Sequence, residues 1–252
     1  MGSKHQNCYL LNMIGYGLAK FDDAFVNEFD CRSKAEFFAL MISTGVGATV
    51  GTIKNRQDLF DPFFDNGRSG WWQKGNTYLH RKLLLDSLFG DMIVSEYANT
   101  VKLYLTDLYQ LTGLPAQPSP ITSSKFKKLQ ETGLEAELYF LNSYNSIHEF
   151  EGGVIEDARL LGDGYDFQIR ANQSYFLVEV KGVRAKTGDI RLTENEYRKA
   201  DEYKEDYVLA VISNLDQVPK ITCFRNPVSL LHLQAKELIQ RQLYYISPSL
   251  TW

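Results

Sequence analysis

Two short runs of alternating residues, 165–170 and 175–181, constrain the fold of this chain more than any other part of it. In the second run Phe176, Val178 and Val180 alternate with Tyr175, Leu177, Glu179 and Lys181, the two-residue period of a β-strand. Glu179 and Lys181 therefore point to one face. In the first run Tyr165, Phe167 and Ile169 alternate with Asp166, Gln168 and Arg170, and the link from Ala171 to Ser174 is short enough for an antiparallel hairpin. Pairing of the two strands then sets Asp166 beside Glu179. Two carboxylates on neighbouring strands suit a hard, oxygen-preferring cation such as Mg²⁺ or Mn²⁺. Lys181, two residues along the same strand, can orient an attacking water or stabilise charge on a phosphate.

A lone Glu-x-Lys on a strand is ordinarily a solvated face, so the ordered set of neighbouring motifs is what singles this one out. Asp166 followed by Glu179-Val180-Lys181 resembles the core of the PD-(D/E)XK nuclease superfamily, an acid on one strand and an (Asp/Glu)-x-Lys triplet on the next. The resemblance is closer to one branch, the Mrr-like restriction endonucleases and the related domain at the C-terminus of the plant protein NO VEIN. Gly164-Tyr165-Asp166, Glu179 to Gly182, Leu192 to Tyr197 with Ala200, and the Tyr-led apolar run from Tyr207 to Ile212 carry it. Tyr165 stands where the superfamily's name has proline. Upstream, Gly133 to Glu137 matches a helix motif of the form G-x-x-A-E. Glu135 and Glu137 cannot share a helix face, because two residues turn about 200°, and the resemblance selects Glu137 as the helix-borne acid. It implies Asp166, Glu179 and Glu137 as metal ligands, Lys181 beside the attacking water, and DNA as substrate. Thr193 and Glu196 also fit the Ser/Thr-x-x-Glu pattern of a helix capping box, so Glu196 is read as a cap first and as a site residue second.

Length and composition fit this reading without demanding it. A chain of 252 residues, 44 % hydrophobic, can bury one large core or two modest ones. A formal net charge of −4 excludes a wholly basic nucleic-acid binder, but acids gathered at a metal and bases gathered on a patch cancel in such a sum. Cys8, Cys31 and Cys223 are too scattered for a disulfide framework or a zinc site. No apolar run approaches the roughly 18 residues of a membrane span, and the first residues lack the order of a signal peptide. The expectation is a cytoplasmic protein with no membrane partner.

The first half reads as a mainly helical domain over 1–112. The first twenty residues fit a strand or a helix equally. Ser33-Lys34-Ala35-Glu36 predicts a capped helix ending near Gly45, and Gly45, Gly47 and Gly51 read as a loop, lacking the spacing of a nucleotide-binding turn. Asn76 and Ser95 are expected to cap two further helices. Between Lys54 and Arg81 the bases Lys54, Arg56, Arg68, Lys74 and Arg81 interleave with aromatic residues that include Trp71 and Trp72. Cations for phosphates and rings for bases make this a candidate DNA-binding segment, although two tryptophans are as readily core residues.

Residues 113–124, rich in Pro, Ser and Thr, are expected to form a linker, followed by a nuclease domain over 125–252. Within it a helix is expected from Lys125 to about Tyr144, strands at 154–161, 207–213 and 220–224, a helix at 194–206 and a closing helix at 230–240. This order describes an α/β fold with a restriction-endonuclease-like mixed sheet flanked by helices. Cutting both strands of a duplex favours a homodimer. The expected activity is that of a metal-dependent endodeoxyribonuclease of restriction or antiviral defence, with modification-dependent cleavage as one form. A non-cleaving module with a nuclease-like core, or a nuclease for RNA or single strands, are the rivals.

Overall fold

The computed structural model describes residues 4–109, 125, 127, 128, 131–237 and 245–247. The expected linker at 113–124 lies outside them. The amino-terminal half is helical: α1 (Lys4–Phe21), α2 (Asp23–Asn27), α3 (Lys34–Ser43), α4 (Val50–Phe60), α5 (Leu79–Phe89) and α6 (Val94–Tyr109). Helix α1 is its axis. Leu10, Leu11, Met13, Ile14, Tyr16, Leu18 and Ala19 are all buried, and a helix buried all round loses the amphipathic stripe by which sequence reveals one.

Several expected boundaries move. Ser33 caps α3 by accepting the Glu36 N–H, but the Glu36 carboxylate accepts from Arg32 and not from Ser33, so only half of the capping box forms. Gly51 lies inside α4 and not in a loop. Asn76 does not cap α5, because 72–78 form a 3₁₀ stretch kinked at Gly75. Ser95 falls within the first turn of α6.

The second half begins with α7 (Thr132–Ser143). The expected helix from Lys125 does not run through, because Glu131 is extended at φ −72°, ψ 113°. The sheet then follows in the order β1 (Val154–Asp157), β2 (Phe167–Ala171), β3 (Ser174–Gly182), β4 (Tyr207–Ser213) and β5 (Lys220–Arg225). All pairs are antiparallel except β3–β4, which is parallel and is connected through α8 (Glu194–Tyr203). A parallel pair requires such a crossover. β1 stops at Asp157, short of Leu161, because 158–161 form a turn closed by the Leu161 N–H on the Ala158 carbonyl at 2.9 Å. Among the described residues the expected closing helix is confined to Pro227–Leu230, 231–237 are irregular, and 238–240 lie outside them.

One face of the sheet, built from Phe167, Ile169, Phe176, Val178, Val180, Val208, Ala210 and Ile212, packs on Ala136 and Phe140 of α7. The opposite face, with Leu177 and Tyr207, is covered by Ala200 of α8. Helix α7 serves both halves, since Leu134 and Leu138 join the amino-terminal core. Buried polar contacts complete that seam: Arg81 donates to the Asp216 carbonyl at 2.5 Å, His80 Nε2 lies 3.2 Å from the Leu215 carbonyl, and Arg184 pairs with Glu135. Among the described residues no helix is long and apolar enough to cross a membrane.

Candidate active site

The hairpin forms in the register that alternation requires. Phe167 pairs with Val178 across β2 and β3, and Asn172 and Gln173 make the tight turn with φ of 49° and 67°, as a two-residue hairpin demands. Asp166 sits just before β2. Its N–H donates to the Val178 carbonyl at 2.9 Å, and its Oδ2 accepts the Val180 N–H at 2.8 Å. It therefore continues the register to a position beside Glu179.

Two glycines of the motif have steric roles here. A Cβ on Gly182 would stand 2.5 Å from the Thr132 carbonyl oxygen, so the end of β3 meets the start of α7 only without a side chain. Gly164 combines its positive φ with close approach to Asn195 of α8. The turn it forms is tied down by the Tyr207 hydroxyl, which donates to the Gly164 carbonyl at 2.9 Å.

Glu179 is 4 % exposed. Burial, and then the charge of Asp166, push its pKa up to about 8, with Lys181 opposing. Burial likewise raises Asp166 to about 6 against the Val180 hydrogen bond, and Glu137 adds to the rise. Lys181 Nζ lies 2.5 Å from Glu179 Oε1 and 2.8 Å from Glu196 Oε2. Burial disfavours its ammonium, but the two carboxylates outweigh that and its pKa rises. Glu196 also completes the capping box, since its side chain accepts the Thr193 N–H while Thr193 accepts the Glu196 N–H. One carboxylate thus both caps α8 and pairs with Lys181.

Glu137 and Glu135 face opposite ways, as helix geometry requires. Glu135 is 2 % exposed and lies in the seam with Arg184 and His80. Glu137 is close enough for its charge to act on Asp166, but its carboxylate is held by Arg159 at 3.1 Å. The donor set of Asp166 and Glu179 fits a hard divalent cation: a half-buried and a buried carboxylate stand side by side, and burial, then repulsion from Asp166, raises the pKa of Glu179, which Lys181 offsets only in part. A third ligand is not in place. Among the described residues no group of three or more His, Cys, Asp or Glu side chains stands ready to hold a metal.

The candidate DNA-binding residues divide. Arg81 is 6 % exposed and spent on the seam. Arg68 pairs with Asp58 and Asp61 at 2.9 Å each, and Arg56 bonds Asn12. Trp71 packs on the amino-terminal core. These four already have partners within the protein, Arg81 buried and Arg56, Arg68 and Trp71 half-buried. Lys54, Trp72 and Lys74 are exposed, Trp72 at 63 %, with the Lys74 ammonium 4.7 Å above the Trp71 ring. Sequence reading missed Arg159 and Arg184. Both are defined by partners distant in sequence, and only the spacing Asp157-x-Arg159 gave a local signal.

A mixed sheet flanked by helices, with an acid at the mouth of one strand and a buried Glu-x-Lys on the next, defines an α/β domain with an acid–lysine centre. Residues 136–224 match the family model described as "Protein NO VEIN, C-terminal", so this segment is similar to the C-terminal domain of that protein. The match spans β1 to β4, all but the last residue of β5, and α8, and it contains Glu137, Asp166, Glu179, Lys181 and Glu196 but none of the helical half. No curated protein and no solved structure matches the chain.

Proposed function

We propose that the protein is a metal-dependent endonuclease hydrolysing DNA phosphodiester bonds in restriction or phage defence. The observation that carries this is the half-buried Asp166 set beside the buried Glu179 by strand register, with the Lys181 ammonium paired to Glu179 and Glu196. Asp166 and Glu179 would hold the cation, which when bound supplies positive charge to a phosphodiester under attack. Lys181 stands next to that position. It can hold a water for in-line attack or neutralise the phosphate oxygens as charge develops. Glu196 aims the ammonium from the start of α8. The similarity of residues 136–224 to a nuclease-like domain family supports the same reading.

The test is incubation of the protein with modified and unmodified plasmid, with and without Mg²⁺ or Mn²⁺. Cutting that depends on the cation and is abolished in Asp166→Asn and Glu179→Gln is the expected result. A second reading, a nucleic-acid-binding module that does not cut, is favoured by the engagement of Glu137 with Arg159. Retarded but intact DNA under every metal condition would replace the first reading with the second.

A further inference from the structure

The guanidinium of Arg159 is committed on two sides. Nε and Nη2 fork the two carboxylate oxygens of Asp157 at 2.9 and 2.5 Å, and Nη1 donates to Glu137 Oε2 at 3.1 Å. Beneath it lies the Phe167 ring, 5.2 Å from the guanidinium carbon. The hydrogen bonds to Asp157, opposed by burial and joined by the bond to Glu137, hold the arginine pKa above its ordinary value. The two contacts are not equal. The fork on Asp157 is bidentate, the strong form of such a pair, whereas Glu137 is held through one longer bond. Both side chains of that bond remain about a quarter open to solvent, at 24 % and 23 %.

Glu137 thus borders the acid pair without joining it. Three carboxylates converging without a cation would repel one another further, and Arg159 relieves this by drawing one aside. The guanidinium that does so is itself about a quarter exposed, and guanidinium groups fork phosphate as they fork carboxylate.

We propose that Arg159 is a positioning residue that parks Glu137 away from the cation site, and that a phosphodiester entering the site releases it. The incoming phosphate takes over Nη1, Asp157 keeps its fork, and the freed Glu137 turns toward Asp166 as a further ligand. The inference rests on the cation site proposed above and adds that its third carboxylate arrives with the substrate. Tight cation binding is then coupled to the presence of a phosphodiester.

The test is calorimetric titration of the full-length chain with Mn²⁺, for wild type, Arg159→Met, Glu137→Gln and the double variant. Methionine keeps an unbranched stem over Phe167, and Arg159→Gln serves the same comparison if the methionine variant does not fold. Arg159→Met should bind Mn²⁺ about fivefold tighter than wild type, Glu137→Gln within about twofold of it, and the double variant should lose the gain, the non-additivity of residues that act through one another. Dimethyl phosphate, the smallest phosphodiester, should tighten Mn²⁺ binding by wild type and not by Arg159→Met. An Arg159→Met affinity equal to or below wild type, an additive cycle, or an equal effect of dimethyl phosphate on both proteins overturns the role of Arg159 and leaves the cation site standing. Absence of Mn²⁺ binding by wild type overturns both.

Discussion

The ammonium of Lys181 lies 2.8 Å from Oε2 of Glu196, and that same oxygen accepts the Thr193 N–H at 2.9 Å. One carboxylate therefore starts helix α8 and aims the lysine on β3. The sequence pattern sets capping against catalysis, but the geometry makes them a single arrangement in which the cap fixes where the charge sits.

The two roles separate by substitution. Glu196→Gln keeps a side chain that serves a capping box and removes the charge beside Lys181. It should melt near wild type yet cut roughly tenfold more slowly, a loss of about 1.4 kcal/mol of transition-state stabilisation. Glu196→Ala should in addition lose about 1 kcal/mol of stability. Thermal melts and initial cleavage rates on one plasmid check both. An unchanged rate in Glu196→Gln returns the residue to capping alone.

Cation binding should release protons. Glu179 and Asp166 have folded-state pKa values raised to about 8 and about 6. Their contribution to stability is therefore full below the ordinary carboxylate range and is lost as pH rises through those two values. The raised pKa leaves Glu179 part-protonated near pH 7 in the metal-free protein, and a divalent cation displaces that proton. Titration of Mg²⁺ in buffers of different ionisation enthalpy should give a buffer-dependent heat equivalent to about one proton per ion near pH 7. Heat independent of buffer would mean that Glu179 is already ionised.

The hairpin was legible because a period of two, a short turn and one buried face leave a single register, and Asp166 beside Glu179 follows from it. Thr193 announced α8 through a local pattern. Helix α1 was not legible, since burial on every side erases its stripe, and Asn76 and Ser95 show that a polar residue near a helix start is not thereby its cap. Arginines were the least legible. Whether Arg68 meets solvent or Asp61, and whether Arg159 meets water or Glu137, is decided by segments that the chain brings together only on folding.

The exposed and the buried members of the basic, aromatic segment should behave differently. Trp72 and Lys74 are exposed, whereas Arg81 is spent on the seam with Asp216. Trp72→Ala and Lys74→Ala should weaken DNA binding with little change in melting, by about 1–3 kcal/mol for a ring that stacks on a base. Arg81→Ala should instead lower the melting temperature, because it removes a buried side chain and its hydrogen bond across the seam. Gel shifts beside thermal melts distinguish the two, and normal DNA binding by Trp72→Ala/Lys74→Ala would remove this segment from the interface.

His80 should set part of the acid stability of the seam. It is fully buried, with Nε2 3.2 Å from the Leu215 carbonyl and 3.7 Å from Glu135 Oε1. The proximity of Glu135 alone would favour the imidazolium, but burial, and then the charge of Arg81, hold the pKa down to about 3. The neutral ring donating to Leu215 is the folded form. A depressed pKa contributes stability that is present above the unfolded value of about 6.5 and is lost as pH falls toward the folded one. Between pH 7 and pH 5 that loss amounts to about 2 kcal/mol. Asp166 and Glu179 move in the opposite direction over part of the same range, so the measurement must compare variants. His80→Gln keeps an N–H for the Leu215 carbonyl and cannot titrate. Urea unfolding followed by tryptophan fluorescence should show the variant losing about 2 kcal/mol less than wild type from pH 7 to pH 5. Parallel pH profiles for the two proteins would show that His80 titrates in the fold as it does in the unfolded chain.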